Sequence, residues 1–111
     1  MAEISTQISR SESDNSLLAY NCASDIANRE LSPTDPNRLS LYLNFSVFYY
    51  KILNSRERAV IMADMAFNNA VNDLDNLSED DYDDAFAIMY LLKENILFWT
   101  HGVQRNGEEF G

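Results

Sequence analysis

Cysteine, histidine, glycine and positive charge are all scarce in this chain of 111 residues, and each shortage closes a class of function. The single cysteine, Cys22, rules out an intrachain disulfide and fits a reducing compartment. One histidine, His101, beside that one cysteine gives neither a metal-ligand set nor an acid–histidine–nucleophile arrangement. No metal, no cofactor and no enzymatic activity are therefore expected. The three glycines, Gly102, Gly107 and Gly111, all fall in the tail, so no glycine-rich loop can cradle a phosphate. No apolar run approaches the length of a membrane span, and the first twenty residues are polar, which argues against a signal peptide. Eight bases against 18 acids leave a net charge of −10, a poor surface for nucleic acid or anionic membrane. The expected location is the cytoplasm, with the nucleus as a second compartment.

The acids concentrate at Asp73, Asp75, Glu79, Asp80, Asp81, Asp83 and Asp84. A calcium loop begun at Asp73 would put Leu77 at its fifth position, Ser78 where glycine is required and Asp84 where a glutamate should close the site. Those failures leave a solvated turn whose carboxylates favour the positive end of the following helix. The sequons at Asn44 and Asn76 are expected to be idle in the absence of a secretory signal.

What is present is helical periodicity. Residues 1–15 are polar and serine-rich, and are expected to form a frayed or disordered lead-in. A first helix is predicted over residues 16–31, ended by Ser32-Pro33-Thr34-Asp35-Pro36. Cys22 lies on it among apolar neighbours, where a small buried hydrophobe is favoured over a reactive thiol. Asp35 can cap a second helix with Pro36 in its first turn. That helix, running to about Leu53, is apolar on nearly every side and should lie centrally. A third, to about Leu74, carries an inner stripe of Ala59, Met62, Ala63, Ala66, Phe67, Ala70 and Leu74. A fourth follows Ser78 as cap, is expected to turn Tyr82, Phe86, Met89, Leu92, Ile96 and Trp99 inward, and stops at Gly102. The expected fold is all-α, antiparallel helices with short links over residues 16–101, followed by a mobile tail at 102–111.

Two of these helices place a lone asparagine inside an apolar run. They are Leu43-Asn44-Phe45-Ser46-Val47-Phe48-Tyr49-Tyr50 and Leu91-Leu92-Lys93-Glu94-Asn95-Ile96-Leu97-Phe98-Trp99-Thr100. Asn44, Val47 and Lys51 stand at i, i+3 and i+7; so do Ile88, Leu91 and Asn95, with Trp99 one turn further. Each set lines one helix face. With Ala27-Asn28-Arg29-Glu30-Leu31-Ser32-Pro33-Thr34-Asp35-Pro36 and Tyr49-Tyr50-Lys51-Ile52-Leu53-Asn54-Ser55 in the same ungapped register, the chain resembles the C-terminal half of the 14-3-3 family. The resemblance runs from about Tyr20 to Thr100, and it implies the C-terminal part of a helical cup.

The family is one of adaptors in signal transduction that grip phosphoserine and phosphothreonine peptides of client proteins. The resemblance therefore implies a peptide-binding half-groove formed by Leu43, Asn44, Val47, Lys51, Ile88, Leu91, Asn95 and Trp99, with the two amides on the peptide backbone. The plainer alternative is that each amide satisfies a neighbouring carbonyl or fixes helix register. The family's phosphate clamp (a lysine, two arginines and a tyrosine) belongs to the N-terminal half, for which this chain has no counterpart. Losing three charge-assisted bonds would cost about 4–9 kcal/mol, or roughly three to six decades of affinity. Phosphate binding is thus expected to be weak or lost, and the usual family dimer interface absent. The competing expectation is a truncated structural remnant, or a helical interaction or decoy protein, without independent phosphopeptide binding.

The sequence departs from the family pattern at several positions. Lys51 stands where the family carries a glutamate on the groove face, either as a partial substitute for the clamp or as a lysine reaching solvent. Ser40 and Tyr42 replace smaller residues, Arg56 a proline and Asp35 a histidine. The bulk of Tyr42 in a close helix contact calls for repacking.

Overall fold

The computed structural model describes residues 10–102, and within them the chain is all-α. Four helices follow one another: α1 (Arg10–Glu30), α2 (Pro36–Lys51), α3 (Arg56–Asn72) and α4 (Tyr82–His101). Two short 3-10 turns, Leu74–Asn76 and Glu79–Asp81, lie between α3 and α4. α1 starts at Arg10, so residues 10–15 extend the helix where a frayed lead-in was expected. Residues 1–9 of that lead-in, and 103–111 of the expected tail, lie outside the described residues.

Local chemistry explains each link. The Asp35 carboxylate accepts from the Asn37 backbone N–H at 2.8 Å, and Pro36 occupies the first turn, where no N–H is needed. Arg38 donates from Nη1 to the Leu31 carbonyl at 2.9 Å, placing a cation just past the C-terminal end of α1. Buried Thr34 donates to Asp73 Oδ2 at 3.2 Å, fastening the α1–α2 link to the far end of α3. Asn54 takes a left-handed φ of 52° after α2, a conformation asparagine tolerates better than most residues. The Ser78 hydroxyl accepts from Asp81 N at 3.3 Å, capping a 3-10 turn before α4 begins at Tyr82. Gly102, at φ +70°, ends α4 with its N–H bonded to the Phe98 carbonyl at 2.8 Å.

Packing follows from side-chain size. Ala59, Ala63, Ala66 and Ala70 form one buried face of α3, small enough for close approach to both α2 and α4. Leu39 from α2, and Ala85, Met89, Leu92 and Trp99 from α4, complete that core. α2 touches all three other helices, the central position expected of it. On its other side Phe45 stacks on Tyr20 of α1 (centroids 4.7 Å apart, planes 10° apart) and on its own neighbour Tyr49 at 5.2 Å. Tyr42 is accommodated at this seam, its hydroxyl donating to Asn28 Oδ1 at 2.8 Å.

Two inward expectations are corrected. Cys22 is exposed. α1 packs on α2 through Tyr20, Ser24 and Ala27, and Cys22, two residues beyond Tyr20, is turned about 200° around the helix from it. Tyr82 and Phe86 are exposed as well, their rings in tilted contact with centroids 4.7 Å apart. Ala85, one position before Phe86, is the residue at the core, because α3 presents alanines there and the helices close together. Met89, Leu92 and Trp99 are buried as expected, and Ile96 packs against the core half-buried.

Ala63→Leu should cost about 1–3 kcal/mol by overpacking the α3 face, read as a lower urea midpoint at unchanged slope. Phe45→Ala should cost about 3–5 kcal/mol, and hydrogen exchange should show α1 amides losing protection before those of α3.

Candidate functional site

α2 and α4 enclose a cleft of about 200 Å³. From α2 it takes Leu43, Asn44, Val47, Tyr50 and Lys51; from α4, Leu91, Asn95 and Trp99. Helical spacing delivers each set: Asn44 to Lys51, and equally Leu43 to Tyr50, is seven residues, two turns along one face. On α4, Leu91, Asn95 and Trp99 follow at intervals of four. The two helices present these faces to one cleft because both pack against α3 and against each other.

Seven of the eight residues expected from the sequence share this cleft. Ile88 does not line it; it sits seven residues, roughly 10 Å of helix rise, before Asn95 and packs half-buried against the core. Tyr50 was missed. Its ring stacks on Trp99 at 4.9 Å with the planes 18° apart, joining α2 to α4 at one end of the cleft. The signal was available, since Tyr50 repeats Leu43 at i+7 on the same face.

The two asparagines differ in setting. Asn44 is exposed although it lies in an apolar run, whereas Asn95 retains only 6 % of its surface. Among the described residues neither amide makes a hydrogen bond to another group of the chain. Neither amide is therefore held by a carbonyl of the described residues. Asn95 is nearly buried, but its amide atoms still reach the cleft surface, where a bound acceptor or donor can pair with them. Trp99 Nε1 is also buried without a partner, sealed within the packing below the cleft.

Lys51 is the one charged side chain lining the cleft; apart from the two asparagines, the remaining walls are leucine, valine, tyrosine and tryptophan. Polar groups on apolar walls suit an extended chain, whose backbone needs hydrogen bonds and whose side chains need apolar cover. A second cavity of about 250 Å³, lined by residues including Asn28, Arg38, Tyr42 and Met62, lies among α1, α2 and α3. There Tyr42 is bonded to Asn28, and Arg38 to the Leu31 carbonyl, so these groups hold helices together. Among the described residues no cluster of three or more histidine, cysteine or acidic side chains could hold a metal, and no helix is long and apolar enough to cross a membrane.

Comparison with known proteins places this arrangement. The sequence model for the 14-3-3 protein family matches residues 1–100, beginning well before Tyr20, where the resemblance first became legible. The chain is 50% identical over 110 residues to 14-3-3 protein 6 of Solanum lycopersicum, covering 98% of this chain and 43% of that relative. The 14-3-3-like protein 16R of Solanum tuberosum gives the same figures. The 14-3-3-like protein GF14-A of Oryza sativa subsp. japonica is 50% identical over 108 residues, which is 96% of this chain and 41% of that relative. The chain thus spans less than half the length of the curated relatives it matches. On the profile match, the identities and the helical architecture together, this chain belongs to the 14-3-3 family.

Proposed function

We propose that this chain acts as an adaptor or regulatory protein that holds an extended segment of a client protein in the cleft between α2 and α4. One observation carries the reading: Asn44 and Asn95 come from different helices, line the same cleft, and have no partner of their own among the described residues. In the bound state the two amides hydrogen-bond the client backbone, while Leu43, Val47, Leu91 and Trp99 cover its side chains. Clients of the family are generally phosphorylated. Within this cleft no arginine is present to grip a phosphate with a forked pair of bonds, so phosphate recognition by these residues alone is weak. Nothing catalytic is asked of the cleft, since 14-3-3 proteins are non-enzymatic.

A second reading is favoured by α1. Leu18 is 63 % and Ile26 53 % exposed on that helix, an apolar edge suited to packing against further helices. On that reading the chain is a helical interaction protein and the cleft stays empty.

Trp99 is the single tryptophan of the chain and lines the cleft, so its fluorescence reports occupancy directly. Titration with a phosphoserine peptide and its unphosphorylated form should shift Trp99 emission, with the two affinities within about tenfold of each other. Asn95→Leu should weaken that binding about fivefold to thirtyfold, by losing one or two hydrogen bonds. The same substitution should leave thermal stability equal or raised, because no hydrogen bond within the described residues is lost. A fall of several degrees with unchanged peptide binding would mark Asn95 as structural and end this reading.

A further inference from the structure

We infer that Lys51 gives the cleft a preference for a client segment carrying an anionic side chain, a carboxylate or a phosphate. The inference rests on the proposed reading of the cleft and goes beyond it by naming what the bound segment must carry. Lys51 is the sole charged residue among the eight lining the cleft, in a chain whose net charge is −10. No carboxylate lines the cleft with it, and no ion pair to Lys51 occurs among the described residues. Its ammonium is therefore available to a ligand. Arg56, by contrast, lines a neighbouring depression, which meets the cleft at Trp99 and which Glu57 also lines.

Geometry fixes where the anion should fall. Lys51 follows Asn44 by seven residues on α2, roughly 10 Å of helix rise. An extended peptide advances about 3.3 Å per residue, so a segment lying along α2 passes Lys51 about three residues from the point held by Asn44. The wall between them, Val47 flanked by Leu43 and Tyr50, offers no cation to an acid. An acid midway would lose water for no gain, whereas an acid at the Lys51 end gains a cation.

Lys51 is exposed, so the preference is modest: about twofold to fivefold for glutamate over alanine. Comparing glutamate with lysine at the same place should widen it to about tenfold, and the difference should shrink as salt rises.

The test uses the full 111-residue chain and dye-labelled peptides of one fixed neutral sequence. Alanine, glutamate, phosphoserine or lysine is placed in turn at each position. Anisotropy gives affinity, and a Trp99 emission change that Asn44→Ala reduces shows that the cleft, rather than the neighbouring depression that Trp99 also lines, is the site. The expected result is a glutamate and phosphoserine preference confined to one or two positions, about three residues from the register that Asn44→Ala disrupts. Lys51→Gln should abolish that preference and Lys51→Glu should reverse it, favouring lysine. Equal gains from glutamate and phosphoserine identify a carboxylate-type ligand; a gain from phosphoserine alone identifies a phosphorylated one, and both support the inference. Peptides that bind with the same charge order to wild type, Lys51→Gln and Lys51→Glu would overturn the role of Lys51 while leaving the cleft reading intact. Peptides that neither bind nor disturb Trp99 would overturn both.

Discussion

The close approach that alanines permit on α3 is the constraint on which the rest depends. Ala59, Ala63, Ala66 and Ala70 let α3 lie against both α2 and α4, leaving the bulk of the shared core to Leu39, Met89, Leu92 and Trp99. With α3 drawn in, α2 and α4 meet each other, and the Tyr50–Trp99 stack closes the junction. The cleft is the groove left beside that junction. Its width therefore depends in part on alanines of α3 that do not line it.

The same packing accounts for the contrast between the two sides of α2. Toward α3 the core is built on small alanines, and toward α4 it includes the Tyr50–Trp99 stack; toward α1 the contacts are aromatic, with Tyr20, Phe45, Phe48 and Tyr49 in one group of stacked and tilted rings. α1 is held by that group and by the Tyr42–Asn28 and Arg38–Leu31 bonds, and it has no second helix packed extensively on it. Its outer side accordingly keeps Leu18, Cys22 and Ile26 in solvent. Relatives more than twice as long have further chain with which such a face could be covered.

Much of the helical plan was legible because capping and periodicity are local. Asp35 before Pro36, Ser78 before the acidic turn and Gly102 after Trp99 each mark a boundary through groups only a few residues apart. The alanine stripe of α3 announced itself in the same way. The errors came where a neighbour decides. Phe86 outranks Ala85 in hydrophobicity, and Cys22 sits in an apolar run, yet both judgments depend on which flank meets another helix. The start of α1 was misplaced because Arg10 to Asn15 are polar, and exposed helical turns need no apolar period.

From the residues alone came the four helices, the caps at Asp35 and Gly102, and the angular grouping of Asn44 with Lys51 and of Asn95 with Trp99, whereas Ser78, expected to cap α4, caps the 3-10 turn before it. Spacing along a helix reports the angle about that helix's own axis and nothing about its neighbours. Only the tertiary arrangement decided that the two asparagines open on one cleft, that Tyr50 joins them and Ile88 does not, and that Asn95 is enclosed while Asn44 faces water. Those outcomes depend on how closely helices pack, which is settled by side-chain volumes facing one another across the core.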